Sequence, residues 1–360
     1  MMGRYEVSIC VFIRKGKSMA IVAVGVDLAK NVFAVHGTDE TGKVVLLKPK
    51  VKRADLMPLL RSLPPCLIGM EACSGAHHWA RELIKHGHDA RLMAAKLVAP
   101  YRDGGKLKKN DSADAAAICE AVQRKTMRFV PVKTEDQQGR LSVHRARQGF
   151  VEHRTATINR IRGLLSEVGI VMPLKAETVR QKAHEHLEDL PGYLNQVIND
   201  QLDELARLDE RVAAYDVMIK EMARSNERCK RLMQIGGIAE VTSSAIEATV
   251  GNAHDFKNGR QFSAWLGLVP RQKGSGGKVY LGRITKAGDP YLRTLLILGA
   301  RAVLNAAEKK TDRLSKWALE VKARRGYGKA LVAIAAKNAR MAWAMLSKEL
   351  DYRAAEHLAA

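Results

Sequence analysis

Residues 20–26, Ala-Ile-Val-Ala-Val-Gly-Val, are almost continuously apolar, and the run ends on Asp27. So short and uniform an apolar stretch is a strand covered on both faces, which implies a layered α/β sheet with a carboxylate at the strand's end. Residues 31–36 and 43–47 are β-branched runs split by Thr38-Asp39-Glu40-Thr41-Gly42, a turn-rich connection. Together they predict three antiparallel strands.

A helix over 53–62 leads through Pro64-Pro65 to a strand at 66–70, which ends on Glu71. A helix at 76–86, a strand at 89–93, a basic loop and a helix at 111–124 complete the unit. Three antiparallel strands, then helix, strand, helix, strand and helix, is the order of the RNase H-like (RuvC-like) fold. In that fold acids from the first strand, the fourth strand and the last helix converge.

The segment Lys106-Leu107-Lys108-Lys109-Asn110-Asp111-Ser112-Ala113-Asp114 supplies the helical acids. Asp111 and Asp114 stand three residues apart, on one helical face. Lys106, Lys108, Lys109 and Arg102 surround them with positive charge. An isolated Asp-Ser pair at a helix start is explained by capping and the helix dipole. Asp27 alone reads as a strand-end acid facing solvent, and Glu71 alone as a helix-start acid. As a set, Asp27, Glu71, Asp111 and Asp114 make an all-oxygen ligand group for one or two Mg2+ ions, which keep waters and substrate phosphate oxygens in their remaining positions.

Lys and Arg outnumber Asp and Glu by 60 to 38, for a formal charge of +22 over 360 residues. The excess runs along the whole chain, so an extended polyanion is the expected partner, and nucleic acid is favoured over a membrane surface. No apolar run is long enough to span a bilayer. Five scattered cysteines, Cys10, Cys66, Cys73, Cys119 and Cys229, lack metal-ligand spacing and read as reduced packing residues. The first eighteen residues faintly resemble a signal peptide but lack a small-residue cleavage site, and read as a loose extension or as the product of a start codon placed too early.

Beyond Pro131 long helices are expected. Val151, Ile158 and Leu165 recur at sevens, as do Ile198, Leu205, Val212 and Ile219. These heptads predict coiled-coil or long antiparallel helices, a hairpin in one subunit and a dimer seam being equally good readings. Pro173 and Pro191-Gly192 bound a linker between them. Over 232–245, an apolar residue, the Gly236-Gly237 turn and a small-residue helix outline a helix-hairpin-helix, whose turn amides can face a phosphate. Helices follow at 259–266, from Asp289-Pro290 to 307, and at 329–350.

Between the first two of these helices lies Arg271-Gln272-Lys273-Gly274-Ser275-Gly276-Gly277-Lys278, read as a flexible basic loop before a short strand at 279–281. A serine among glycines is ordinarily a loop residue. As a nucleophile Ser275 needs a base, which no neighbour supplies, and cations for its phosphoryl adduct, which Arg271, Lys273, Lys278 and Arg283 supply. His77-His78 reads as a surface pair. Trp265, Tyr280, Trp317 and Trp343 read as core residues rather than base-stacking platforms.

Six segments carry a resemblance: Gly-Val-Asp27-Leu-Ala-Lys, Met-Glu71-Ala-Cys-Ser-Gly-Ala-His-His-Trp-Ala-Arg, Lys-Asn-Asp111-Ser-Ala-Asp114-Ala, Phe262-Ser-Ala-Trp-Leu-Gly-Leu-Val-Pro-Arg, Ser275-Gly-Gly-Lys and Gly288-Asp-Pro-Tyr-Leu-Arg293. In order and spacing the chain resembles the DEDD transposases of the insertion sequence 110 family, 1111-like branch. The resemblance implies an N-terminal extension (1–19), a RuvC-like domain with the four acids (20–131), a helical coiled-coil segment (132–226) and a mainly α-helical C-terminal transposase domain (227–352).

It further implies a recombinase guided by a bridge RNA, with Ser275 forming a transient 5′-phosphoserine link while Mg2+ assists. Gly274 departs from the branch, which often has another serine there. Element-end and target DNA, the bridge RNA and copies of the chain, as a homodimer assembling to a tetramer, are the expected partners. The expected location is the bacterial cytoplasm, at the nucleoid. Lys106, Lys108, Lys109, Gly236, Gly237, Arg271, Lys273, Lys278, Arg283 and Arg293 are the expected nucleic-acid contacts. The alternatives are a junction-resolving nuclease that uses the acids and water, and a non-catalytic nucleic-acid-binding remnant.

Overall fold

A computed structural model of the chain describes residues 20–102 and 110–352. Two compact units divide between Thr134 and Glu135. The first contains β1 (Ala23–Asp27), β2 (Val32–Thr38), β3 (Val44–Lys52), α1 (Arg53–Arg61), β4 (Leu67–Glu71), α2 (Ala76–Lys85), β5 (Asp89–Met93), the short α3 (Ala95–Val98), α4 (Asp111–Val122) and β6 (Phe129–Val130).

Its strands form one mixed sheet in the order β3-β2-β1-β4-β5-β6. The chain runs β1-β2-β3 as an antiparallel meander, then crosses back so that β4 lies parallel to β1 and β5 parallel to β4. The meander's second turn, between β2 and β3, is tied by Asp39, whose Oδ1 accepts from the Thr41 and Lys43 amides at 2.8 and 3.0 Å. As the apolar run at 20–26 requires, β1 is covered on both faces. Val24 and Val26 pack with Leu56 and Leu60 of α1 and Leu83 of α2. On the opposite face α4 lies against β1 and β4.

Two glycines set that approach. A Cβ on Gly25 of β1 would collide with the Ala115 carbonyl oxygen and the Cys119 amide nitrogen of α4, and one on Gly69 of β4 would stand 2.7 Å from Val122 Cβ. Only residues without a side chain let the helix backbone sit this close to the sheet.

The second unit begins with α5 (Glu135–Ser166), α6 (Ala176–Glu185) and α7 (Gly192–Arg224). Ion pairs Arg147–Asp216 (2.5 Å) and Arg154–Asp209 (3.1 Å) fix α5 and α7 antiparallel. Ile198, Leu205, Val212 and Ile219, the heptad residues of α7, are all buried within a single chain. The stretch expected to be a linker holds α6 instead. Val179 and Ala183 give this polar helix just enough apolar face to close the Ile158, Ile161, Leu165 and Ile198 cluster.

Helices α8 (Glu227–Met233), α9 (Glu240–Val250), α10 (Gly259–Trp265), α11 (Pro290–Ala306), α12 (Arg313–Arg325) and α13 (Tyr327–Lys348) share one further core, built on Leu232, Ile246, Phe262, Leu292, Ala318 and Ile334. The sequence reading missed α12. Its signal is Asp312, whose carboxylate caps the helix by accepting from the Ser315 amide at 3.0 Å. Between α10 and α11 the chain forms a two-stranded ribbon, β7 (Pro270–Ser275) and β8 (Lys278–Ile284). Among the described residues no helix is long and apolar enough to cross a membrane.

Candidate active site

The acid cluster is assembled by three elements of the first unit. β1 and β4 are parallel neighbours with Val26 opposite Met70, so Asp27 and Glu71 emerge side by side at the same sheet edge. Held by Gly25 and Gly69, α4 directs its N-terminal turn, with Asp111 and Asp114, to that edge. The capping role that would explain an isolated acid there belongs to another residue: Asn110 Oδ1 accepts from the Ala113 amide at 2.8 Å. Asp114 is buried and Asp111 exposed.

Electrostatics show that the four acids share one neighbourhood. Burial pushes the Asp27 carboxyl from 3.8 up to about 6, with further upward contributions from the charges of Asp114, Asp111 and Glu71. The Cys73 thiol is likewise pushed up, first by burial and then by the Glu71 and Asp27 charges.

Arg102 enters this cluster as a cation. Its Nε lies 2.5 Å from Asp114 Oδ1, and its Nη2 lies 3.6 Å from Glu71 Oε1. The sequence reading counted Arg102 only as part of a basic surround, and nothing in its spacing distinguishes it from the lysines nearby. Lys106, Lys108 and Lys109 lie outside the described residues. Among the described residues, no three His, Cys, Asp or Glu side chains are gathered closely enough to hold a metal ion as they stand.

The donor set nonetheless fits a hard divalent cation. All four candidate donors are carboxylates, the ligands that Mg2+ selects. Burial raises the Asp27 carboxyl most, and the charges of Asp114, Asp111 and Glu71 add to it, an excess of negative charge that a divalent ion would offset.

In the second unit Ser275 ends β7. The expected flexible loop is an ordered strand here, because Gln272, Lys273, Gly274 and Ser275 pair in register with Leu281, Tyr280, Val279 and Lys278. Gly276 and Gly277, at φ +55° and +78°, make the tight turn between the strands. Arg271, Lys273, Tyr280, Leu281, Arg283 and Lys286 line a cleft of about 470 Å³ on the ribbon. From 270 to 288 the sequence holds five cations and no acid.

Tyr280 corrects another expectation. It is 68% exposed, flanked by Val279 and Leu281 at 65% each, and is not a core residue. Trp343 and Trp317 behave as expected of packing residues: Trp343 donates from Nε1 to the Ala253 carbonyl at 3.0 Å, and Trp317 packs on the helical core, whereas Trp265 stacks on Phe262 with one side exposed and is not a core residue.

Two further expected contacts have structural roles. The Gly236-Gly237 turn packs onto α11, where a Cβ on Gly237 would come within 2.6 Å of the Gly299 carbonyl oxygen. Arg293 donates to the carbonyls of Leu266 and Gly288, both at 3.2 Å, and so ties the start of α11 to the end of α10. A buried cluster escaped the sequence reading: His144 shares hydrogen bonds with Ser244 Oγ (3.0 Å) and Tyr291 Oη (3.1 Å). Burial pushes its imidazole down to about 4, so it is neutral at physiological pH.

Acids at the strand ends of a mixed sheet, and a separate cation-rich ribbon, suit a protein that acts on nucleic acid. Comparison with known proteins makes the class specific. Residues 24–170 match the DEDD family model described as "Transposase", and 229–315 match the model described as "Transposase IS116/IS110/IS902 family". A probable family 20 transposase of Pseudomonas aeruginosa is 45% identical over 340 residues, covering 93% of this chain and 99% of the relative. The transposase for insertion sequence element IS1111A of Coxiella burnetii is 41% identical over 350 residues, covering 96% and 95%. That for IS1328 of Yersinia enterocolitica is 35% identical over 331 residues, covering 91% and 97%. The chain belongs to the IS110 family of DEDD transposases, and is a DNA transposase.

Proposed function

We propose that this transposase cuts and rejoins the DNA strands of its element with two chemical centres: a Mg2+ site held by Asp27, Glu71, Asp111 and Asp114, and a nucleophile at Ser275. The observation that carries the first centre is the meeting of Asp27 and Glu71, at the ends of paired strands, with the N-terminal turn of α4, where Arg102 reaches both Glu71 and Asp114. The strand order and the place of the acids support reading the first unit as RNase H-like (RuvC-like). The bound metal would polarise the scissile phosphodiester and stabilise the attacking and leaving oxygens.

The chain's own residues do the rest. The Ser275 hydroxyl loses its proton to a base and attacks phosphorus; the Ser Oγ–P bond forms, the P–O3′ bond breaks, and the departing 3′ oxygen takes up a proton. A 5′-phosphoserine link results, and attack on it by a 3′-hydroxyl reverses the step and joins the strands. Arg271, Lys273, Lys278 and Arg283 orient the phosphate and offset the charge that develops on its oxygens. In this reading the base comes from the acid-bearing domain of another copy in a dimer that pairs into a tetramer, and target choice comes from a bridge RNA. The +22 charge suits two polyanions at once.

Incubating the protein with element-end DNA and Mg2+, then denaturing, tests the serine. Ser275→Ala is expected to keep its affinity for DNA and to lose the covalent protein–DNA species. If that species persists in the variant, the nucleophile is another residue. If the parent cleaves to free ends and never carries DNA, water is the attacking group and the nuclease reading replaces this one.

A further inference from the structure

We propose that Arg102 is a tethered counter-cation of the acid cluster, held between Glu71 and Asp114 in the metal-free protein and displaced when a divalent ion binds. The inference rests on the metal reading of the four acids and concerns a residue outside that ligand set.

Position is the first argument. Arg102 reaches both walls of the cluster, with Nε 2.5 Å from Asp114 Oδ1 at the start of α4 and Nη2 3.6 Å from Glu71 Oε1 at the end of β4. Its side chain is 23% exposed, and those of Glu71 and Asp114 are 18% and 8% exposed, so these charges meet largely out of water. There the loss of one partner leaves the others as uncompensated charge away from water, which costs far more than breaking a surface ion pair.

Charge is the second argument. Four carboxylates face one guanidinium, so Arg102 relieves their mutual repulsion only in part. A divalent ion supplies twice that charge, and carboxylate oxygens approach Mg2+ to about 2.0–2.1 Å. Guanidinium and metal ion cannot both sit against the same two half-buried carboxylates without strong repulsion at close range. The two states therefore exclude each other: Arg102 on Glu71 and Asp114, or metal on them.

Geometry gives the exchange a purpose. While Arg102 is in place, the N-terminal turn of α4 stays docked on β4 despite its negative charge, and the acids need not scatter. The acids are kept near one another by an internal cation, and metal binding draws them in around a stronger one.

Mn2+ titration of the full-length, metal-stripped protein by calorimetry tests this without any catalytic readout. Arg102→Gln is expected to bind Mn2+ about tenfold more tightly than the parent, and Arg102→Lys to stay near the parent. In chelator, the β4 and α4 peptides of Arg102→Gln should exchange amide hydrogens faster than the parent's, and saturating Mn2+ should remove that difference. Equal or weaker Mn2+ binding by Arg102→Gln overturns the proposal. Mn2+ binding that is unaffected by Asp114→Asn overturns the metal reading beneath it, which is a separable result.

A second measurement does not depend on a variant folding. In the parent protein the Arg102 15Nε resonance should move away from its position beside Asp114 as Mg2+ is added. A resonance that stays fixed while Mg2+ binds would show that Arg102 keeps its place, contrary to the proposal.

Discussion

Replacing Asp27 with Asn should stabilise the metal-free protein at neutral pH while removing a metal ligand. A carboxyl raised from 3.8 to about 6 is more costly to ionise in the folded chain than in the unfolded one. At 1.36 kcal/mol per pH unit, the penalty at pH 7 is about 3 kcal/mol before screening. Asp27 is partly exposed, and solvent screening reduces this to about 1–2 kcal/mol. The pH dependence follows from the direction of the shift. Below 3.8 both states hold the proton and there is no penalty; between 3.8 and about 6 the unfolded state ionises first, so stability falls as pH rises; above 6 the full penalty applies. Asn cannot ionise, so the gain should appear only above pH 4 and level off past 6.

The assay is amide hydrogen exchange of β1 and β4 peptides in chelator, at matched pH values, because a chain of two units has no single unfolding transition. The variant's protection at pH 7 should exceed the parent's by about tenfold or more, and the two should agree at pH 3.5. Saturating Mg2+ should reverse the order by stabilising only the parent. An Asp27→Asn protein that is no more protected at pH 7, or that gains equally at pH 3.5, would refute the claim that burial and neighbouring negative charge raise this carboxyl.

Other sites yield separate expectations. Gly25→Ala drives a methyl group into the backbone of α4 and should cost about 3 kcal/mol or more, whereas Gly139→Ala, with open space around it, should stabilise α5 by about 0.5–1 kcal/mol; chemical denaturation of each distinguishes them. Tyr280→Ala should leave the second unit's exchange protection unchanged but weaken binding to single-stranded DNA, with the same salt dependence as the parent, whereas Lys273→Gln should flatten the salt slope by about one; a Tyr280→Ala protein that binds as tightly as the parent would rule out base stacking there. His144, held down at about 4 against 6.5 in the unfolded chain, should withdraw up to about 3 kcal/mol of stability as pH falls from 6.5 to 4; a second unit whose exchange protection stays flat over that range would contradict its burial as a neutral group.

The acid-bearing sheet was legible because its signals are local. An unbroken apolar run ending in Asp27, a second ending in Glu71, and a capped helix starting at Asp111 each report burial and termination directly. What brings them together was less visible. Gly25 and Gly69 matter through a helix some 50 to 90 residues away, and no periodicity shows that distance. Arg102 was hidden for a related reason, since a lysine and an arginine in a basic stretch look alike until one of them is found against two carboxylates.

In the second unit, the glycines that suggested a loose loop at 274–277 serve a tight turn between paired strands. The ribbon's exposed Val279, Tyr280 and Leu281 have β-strand propensity without burial, so a core-seeking reading misplaced Tyr280. The heptads of α5 and α7 were readable as helix-on-helix packing, but a heptad is equally well satisfied within or between chains. The structure satisfies them within one.

The claim on which the account depends is that four acids from three elements form a single metal centre. Substituting Fe2+ for Mg2+ and adding ascorbate and peroxide generates radicals that cut the backbone beside the bound ion. Cuts confined to three places, the ends of β1 and β4 and the first turn of α4, are the predicted result, with Asp114→Asn abolishing all three together. Cuts that map elsewhere, or that disappear one place at a time as single acids are replaced, would mean that no common centre exists.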